Sequence, residues 1–251
     1  GQMAHNLNSS GSAIKIAVEH ATQSERMKSE LITNVSHDIK TPLTSIVSYV
    51  DLLKKQAMPN DQAREYLEVL DRQSARLKKL TEDLVEASKA STGNIPVSLA
   101  PTDLNVLLSQ VCGEYQQRLE KQVLEPVLSL GQPSPWAMAD GRLLWRVLDN
   151  LMSNICKYAM PGTRVYLTTE REGDTARMIV KNISRYPLNI SADELTERFV
   201  RGDSSRSTEG SGLGLSIATS LMSLQGGGFR LTIDGDLFKV TLTLPAAGAE
   251  E

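Results

Sequence analysis

A long helical pattern near the start of the chain constrains the fold more than any other feature. Residues 14–57 contain no glycine and a single proline, Pro42. From residue 32 to residue 53 the apolar side chains recur every three or four positions, which predicts one helical face. The members of that face are Ile32, Val35, Ile39, Leu43, Ile46, Val50 and Leu53. A pattern of this length predicts a coiled-coil-like rod rather than an ordinary globular helix.

A second helix is predicted after the break at residues 58–60, which include Pro59. Its apolar positions are mainly leucine and alanine, as helix packing prefers. They are Ala63, Leu67, Leu70, Ser74, Leu77, Thr81 and Leu84. Two helices joined by a short turn cannot bury such stripes alone, and pairing two hairpins into a four-helix bundle would bury them. We therefore expect a homodimer, although a covering domain could do the same.

The rest of the chain alternates between helical and strand patterns. Residues 91–101 contain Gly, Pro and Ser and predict a linker, and Asp103 can cap a helix over 103–120. Helices are also predicted at 142–159 and 212–224, and strands at 123–130, 136–139, 164–171, 176–182, 229–233 and 238–244. This mixture predicts a two-layer α/β sandwich, so the whole chain is expected to be an α+β multidomain protein.

Composition excludes several classes of protein. The 251 residues carry a net charge of −3, with 40% hydrophobic and 23% charged side chains, which is typical of a folded chain. A net charge this close to zero gives no support for a protein that binds nucleic acid through an excess of basic residues. No apolar run is long enough to span a bilayer, so no direct membrane contact is expected. The only cysteines, Cys112 and Cys156, lie far apart, which favours a reducing compartment over a disulfide framework or metal cluster.

His37 stands out on the first predicted helix. Helical-wheel arithmetic points it about 160° away from the apolar face, so it is expected to face solvent. Pro42 lies within the same helix, and its missing N–H deprives the Asp38 carbonyl of a donor and bends the helix. A neighbouring carboxylate such as Asp38 can orient the imidazole and take its proton, which leaves one ring nitrogen nucleophilic. An exposed histidine alone is usually only a surface residue.

The surrounding residues 31–43, LITNVSHDIKTPL, resemble the phosphoacceptor box of sensor histidine kinases of two-component systems. The resemblance implies that His37 accepts the γ-phosphoryl group of ATP and passes it to an aspartate of a response regulator. Asp38 matches the acidic proton acceptor. Thr41 matches the polar residue that positions water when such proteins dephosphorylate their regulator, and its i+4 spacing from His37 puts both on one face.

Two polar motifs follow in the second half. Asn150, Asn154 and Lys157 are spaced i, i+4 and i+7 on a predicted helix, so they project from one side. Phosphates and Mg²⁺ would supply partners for such a stripe. The glycines of GSGLGLSIA, residues 210–218, let backbone N–H groups approach an anion. Neither a Walker loop nor a Rossmann turn fits, because no GK[ST] follows and no strand immediately precedes.

Together with FVRGD at residues 199–203, these motifs resemble the catalytic ATP-binding domain of the same histidine kinases, within the GHKL ATPase superfamily. The resemblance implies that Asn154 coordinates Mg²⁺ and that Arg201 approaches the γ-phosphate. The residues that would contact the rest of ATP are Asn150, Lys157 and Tyr158, and the second glycine box Gly210, Gly212 and Gly214. The long irregular stretch 183–209 would form a lid over ATP.

One motif departs from the family pattern. The family often carries a DxGxG box whose Asp binds the adenine amino group, whereas this chain has KNISRYP at residues 181–187. Asn182 occupies the Asp position, and both glycines are absent. An amide oxygen can still accept a hydrogen bond from adenine, but without charge assistance. The departure affects the expected nucleotide affinity and lid mobility more than the expected fold.

The expected organisation is a tag or linker with the start of a signalling helix (1–24), a dimerisation and phosphotransfer hairpin (25–92), a linker (93–101), an ATP-binding domain (102–246) and a tail (247–251). The expected function is an autophosphorylating histidine kinase that also dephosphorylates its regulator. The alternatives are a nucleotide-poor pseudokinase scaffold and an ATPase that hydrolyses, for which Asn150 stands where an acidic water activator would be needed. The chain is expected to be the cytoplasmic output half of a bacterial membrane-anchored receptor.

Overall fold

The structure is a computed structural model that describes residues 38–39, 41–46, 48–49, 52–53, 60–91, 95–188, 195 and 212–248. Contacts divide the chain into a first unit, residues 1–80, and a second unit, residues 81–251. Several sequence predictions fall on residues outside the described ones. They are the segment 1–24, His37, Arg201, Gly210 and most of the expected lid.

The first unit is helical wherever it is described. Residues 41–46 are helical, and helix α1 (Asn60–Ser91) runs for 32 residues and continues into the second unit. The rings of Tyr49 and Tyr66 lie with centroids 5.4 Å apart, so the two helical stretches contact each other as a hairpin would. Leu80 is buried but Leu67 is 58% exposed, so part of the apolar face of α1 is uncovered in a single chain.

Within the ranges that the structure describes, the second unit has two sheets and three further helices whose bounds are given. The helices are α2 (Leu104–Lys121), α3 (Gly141–Tyr158) and α4 (Gly214–Leu224). A two-stranded antiparallel sheet pairs β1 (Ala100–Asp103) with β3 (Trp136–Ala139). The main sheet contains β2 (Glu125–Ser129), β4 (Arg164–Glu172), β5 (Thr175–Ile183), β6 (Gly228–Asp234) and β7 (Leu237–Pro245). Its strand order is β2-β4-β5-β7-β6, with β2 parallel to β4 and the other neighbours antiparallel.

The core of the second unit lies between the main sheet and the helices. Side chains along β5 alternate between buried and half-buried, which is the period of a strand with one face covered. The buried face of the sheet includes Val165, Leu167, Met178, Val180, Val240 and Leu242. The helices contribute Leu104, Leu108, Leu144, Leu148, Leu151, Ile217 and Leu221 to the same cluster. This arrangement confirms the two-layer α/β sandwich expected from the sequence.

The structure corrects two details of the strand prediction. The segment 91–101, expected to be a linker, ends in strand β1, where Ala100 pairs with Ala139. Its hydrogen bonds come from a partner distant in sequence, so the local Gly/Pro/Ser pattern does not reveal it. The strand expected at 123–130 is shorter, because Val123 has a φ of 55° and belongs to a turn. The predicted cap is confirmed, since Asp103 accepts from the N–H groups of Asn105 and Val106.

A charged cluster joins the last turns of α1, which belong to the second unit, to helix α3. The Nη2 atom of Arg146 lies 2.7 Å from Glu86 Oε2 and 3.4 Å from Asp83 Oδ1, and its Nη1 lies 2.8 Å from Asp149 Oδ2. The hydrogen bond with Glu86 raises the pKa of Arg146. Tyr115 donates its hydroxyl proton to Asp149 Oδ1 at 2.6 Å. The cluster therefore anchors the end of α1 to the helix that carries Asn150.

Candidate active site

Helix α3 positions the polar stripe because its ends and its apolar face are fixed. Asp140 caps the helix by accepting from the N–H groups of Arg142 and Leu143. Buried residues then recur at helical spacing and hold one face against the core. They are Leu144, Val147, Leu148, Leu151, Met152 and Ile155. The stripe of Asn150, Asn154 and Lys157 runs beside that face on the same helix.

Asn150 lies against the start of helix α4. Its side chain is buried, and its Nδ2 donates to the carbonyl of Arg146 at 3.1 Å. A Cβ atom at Gly214 would lie 3.4 Å from Asn150 Oδ1, so the first turn of α4 contacts this amide. Gly212 has a φ of 70°, which favours glycine and turns the chain into the helix. The structure thus brings together two motifs that lie about sixty residues apart in sequence.

The start of α4 is suited to an anion. Leu213 occupies the N-cap position and makes no side-chain capping hydrogen bond. The first backbone N–H groups of an α-helix have no partner within the helix, and the helix dipole places partial positive charge there. Phosphate groups are bound by such helix ends in many proteins. A phosphate at this end would lie beside Asn150, the first member of the polar stripe.

The carboxyl end of α3 meets the carboxyl end of β5. Tyr158 accepts at its carbonyl from the N–H of Arg185 at 2.8 Å, and Met160 donates its N–H to the carbonyl of Ile183 at 2.9 Å. Ala159 and Ser184 form a β-bridge. Asn154, Lys157 and Tyr158 are half-buried on this last part of the helix. The polar stripe therefore leads from the start of α4 to the end of β5.

Asn182 lies at that end of β5 and is 4% exposed. Its Nδ2 donates to the carbonyl of Ile183 at 3.2 Å, whereas its Oδ1 is buried and has no hydrogen-bond partner in the described part of the chain. A buried acceptor without a donor costs about 1–3 kcal/mol of folding free energy. The 6-amino group of adenine is a donor that would satisfy this oxygen. The position therefore fits the base of a nucleotide whose phosphates lie farther along the stripe.

The described residues also fit a Mg²⁺ ion that arrives with a nucleotide. No group of three or more His, Cys, Asp or Glu side chains converges to hold a metal among residues 38–248 that the structure describes. Mg²⁺ commonly takes one or two protein oxygens and completes its shell with phosphates and waters. Asn154 offers one amide oxygen on the half-buried stripe. A single ligand of this kind suits a phosphate-bound ion rather than a permanent metal cluster.

The phosphoacceptor helix is described on one side of His37 only. Asp38 is half-buried and Thr41 is exposed, and both lie in helical backbone. Ser45 donates its hydroxyl to the carbonyl of Thr41 at 3.2 Å. Pro42, which follows Thr41, is buried. Thr41 therefore stands on the outer surface of the helix, the side expected to carry the reactive histidine.

Two family models match separate parts of this chain. Residues 27–93 match the family described as "His Kinase A (phospho-acceptor) domain". Residues 139–248 match the family described as "Histidine kinase-, DNA gyrase B-, and HSP90-like ATPase". This chain belongs to the sensor histidine kinases. In this histidine kinase the second match runs from the start of α3 to the end of the main sheet, and so contains the polar stripe, Asn182 and the start of α4.

Individual relatives match this chain over most of its length. The kinase is 32% identical over 231 residues to the sensor protein VanSC of Enterococcus gallinarum, covering 90% of this chain and 63% of VanSC. Full-length ShkA, solved in complex with AMPPNP, is 25% identical with a TM-score of 0.65, over 89% of this chain and 47% of ShkA. Histidine kinase ThkA, solved with response regulator TrrA, shares the fold at 19% identity and a TM-score of 0.67, over 87% of this chain and 61% of ThkA.

Two features of the kinase were not assigned a role from the sequence. Ser184 stands where the DxGxG box of the family has its first glycine. It is 5% exposed, and its hydroxyl donates to the carbonyl of Tyr186. A small polar residue in place of glycine was the available signal. Arg146 precedes Asn150 by one helical turn and binds Glu86, sixty residues earlier. No local pattern in the sequence indicates a contact over that separation.

Proposed function

We propose that this kinase phosphorylates itself on His37 with the γ-phosphoryl group of ATP and then passes the group to a response-regulator aspartate. The observation that carries the proposal is the buried Asn182 Oδ1, which has no donor among the described residues and lies at one end of the polar stripe that leads to the start of α4. A base at one end and phosphates at the other fit these two features. The chain covers less than two thirds of VanSC, so the activity of the whole protein is part of the proposal.

The binding roles follow from the chemistry of each side chain. Asn182 accepts from the adenine amino group, and Tyr158 lies beside the nucleoside. Asn150, Lys157 and the glycine backbone at residues 210, 212 and 214 contact the phosphates, and Arg201 approaches the γ-phosphate. Asn154 holds Mg²⁺, which when bound neutralises charge on the phosphate oxygens. Gly210 and Arg201 lie outside the described residues, and their roles rest on the family resemblance.

The transfer is a displacement at phosphorus. A ring nitrogen of His37 forms a bond to the γ-phosphorus while the bond to the β–γ bridging oxygen breaks, and ADP leaves with that electron pair. Asp38 takes the proton that the imidazole loses, which keeps the attacking nitrogen nucleophilic. In the second transfer a carboxylate oxygen of the regulator attacks the phosphorus and releases His37. Thr41, exposed on the helix, orients water for dephosphorylation of the regulator.

Dimerisation and cellular location belong to the same proposal. The 58% exposure of Leu67 on the predicted apolar face supports a homodimer in which a second hairpin covers it. The receiver domain of a response regulator is the proposed protein partner. Of the helices within the described ranges, none has the length and apolar content needed to cross a bilayer. We propose that the full-length protein is anchored in the bacterial cell membrane, with this part in the cytoplasm.

Labelling with [γ-³²P]ATP tests the proposal. Wild-type protein is expected to acquire label that survives alkali and is lost in acid, as expected of a phosphohistidine. His37→Ala and Asn154→Ala should label at background, while His20→Ala, a matched histidine control, should label like wild type. Wild-type labelling no stronger than His37→Ala would contradict the proposal. Release of inorganic phosphate without label would instead support a hydrolysing ATPase, although the amide of Asn150 cannot act as its base.

A further inference from the structure

The two polar atoms of the Asn182 amide differ: the nitrogen is held by a hydrogen bond, and the oxygen is open to a donor. Its nitrogen donates to the carbonyl of Ile183, while its oxygen is buried and finds no partner among the residues that the structure describes. The same carbonyl also accepts from the N–H of Met160 at 2.9 Å, which holds it in place. A reversed amide would set Asn182 Oδ1 against the Ile183 oxygen, and two acceptors cannot bond each other. The hydrogen-bond network therefore orients the amide with its oxygen as the free end.

The turn after Ile183 is pinned on both sides. Ser184 donates its hydroxyl to the carbonyl of Tyr186 at 2.8 Å and accepts from the N–H of Tyr186 at 3.3 Å. The N–H of Ser184 donates to the carbonyl of Asp236, in the β6–β7 turn, at 2.7 Å. Arg185 is tied to the end of α3 through Tyr158. A serine and a tyrosine thus build a fixed turn at the positions where glycines would leave the backbone free.

We propose that Ser184 is a positioning residue that makes Asn182 selective for 6-aminopurines over 6-oxopurines. The inference rests on the proposed function and specifies which base that site selects. An aspartate at position 182 would not need its orientation fixed, because both oxygens of a carboxylate accept and neither donates. A freely turning amide would accept from an amino group or donate to a 6-oxo group, and would therefore bind both kinds of base. The fixed turn and the Ile183 carbonyl keep the amide nitrogen occupied, so that it cannot donate to a 6-oxo group.

Equilibrium affinities for Mg·ADP and Mg·IDP test the proposal by calorimetry on the full chain, since diphosphates avoid turnover. Wild type is expected to bind ADP at least about tenfold more tightly than IDP, the worth of one buried hydrogen bond. Ser184→Ala should bring that ratio close to one, chiefly by strengthening the binding of IDP, because an amide that is free to turn can donate to its 6-oxo group. Ser134→Ala, a matched serine that hydrogen-bonds Asp103 elsewhere, should leave both affinities unchanged.

A second variant distinguishes orientation from general damage to the fold. In the Asn182→Asp background, Ser184→Ala should leave the ADP-to-IDP ratio high, because a carboxylate accepts in either orientation. Equal weakening of ADP and IDP by Ser184→Ala in the wild-type background would overturn the proposal, and so would equal wild-type affinities for the two. Wild-type protein that binds neither nucleotide would overturn the proposed function as well. Binding without selectivity would overturn only the role of Ser184.

Discussion

Two polar groups in the second unit, the half-buried Arg146 and the buried Asn182, differ in whether the described part of the chain completes their hydrogen bonds. Arg146 binds Glu86, Asp149 and Asp83 at 2.7, 2.8 and 3.4 Å. Within the described residues from 81 onward, Asn182 Oδ1 is the buried side-chain atom left without a partner. A completed cluster stabilises the fold, whereas we propose that the open bond of Asn182 is completed by a ligand. On neighbouring elements, Arg146 is therefore a polar group that holds the fold together, and Asn182 is a polar group with an open bond that we propose a nucleotide fills.

Removing the cation from the completed cluster should have the largest effect on stability. Arg146→Met removes the cation that Glu86 and the buried Asp83 both contact, and we expect the free energy of unfolding to fall by about 3 kcal/mol. Urea unfolding followed by tryptophan fluorescence measures this change, because Trp136 and Trp145, the only tryptophans, both lie in the second unit.

The matched control for that experiment is Arg177→Met. Arg177 also pairs with two acids, Glu170 and Glu172, but these side chains are 34–67% exposed on the sheet. Exposed pairs contribute little, so the control should change stability by no more than about 0.5 kcal/mol. Equal losses in the two variants would mean that the Arg146 cluster is no more than an ordinary surface ion pair.

Asp140 extends the comparison to a buried group whose bonds depend on its charge. Burial alone would raise the pKa of Asp140, but the N–H of Ser98, the guanidinium of Arg142 and the N–H of Leu143 outweigh burial and lower it. A carboxyl whose pKa is lower in the folded chain stabilises the fold at neutral pH. That stabilisation is lost as the pH falls through the folded-state pKa.

The test compares wild type with Asp140→Asn across pH. The amide keeps one acceptor for the helix cap but turns an N–H towards Ser98, so it should cost about 1 kcal/mol at pH 7. The two unfolding free energies should converge as the pH falls from the ordinary carboxyl pKa of about 4 through the lower pKa of the folded carboxyl, where the wild-type group becomes protonated. A constant difference at every pH would show that the charge of Asp140 contributes nothing.

Much of the fold could be predicted because its signals are local. The three-to-four spacing of apolar residues predicts the hairpin helices, and Asp103 and Asp140 stand where caps belong. The strand predicted at 176–182 corresponds to β5. The motif around Asn150 and the glycines before α4 could be assigned to one nucleotide site through their family resemblance, and the structure brings Asn150 and Gly214 into contact.

The remainder depends on contacts between residues distant in sequence. Strand β1 forms because Ala100 meets Ala139, and nothing near residue 100 indicates that partner. Glu86 and Arg146 are each ordinary charged residues on helices until the fold brings them together. The sequence singled out Asn182 as a departure from a motif, but only the hydrogen bonds of Ile183 reveal which end of its amide is free.

The central claim is that Asn182 Oδ1 is kept without a partner for the base of ATP, and one variant tests it most directly. Asn182→Leu has nearly the same shape and leaves the Ile183 carbonyl its bond from Met160. Without nucleotide, the variant should unfold with a free energy about 1 kcal/mol higher than wild type, because the unsatisfied acceptor is gone.

With Mg·ADP at about one hundred times its wild-type dissociation constant, wild type should gain about 2.7 kcal/mol of stability and the variant far less. Both measurements use tryptophan fluorescence on the full chain. A variant that is less stable than wild type without nucleotide, and that gains as much from Mg·ADP, would contradict the account.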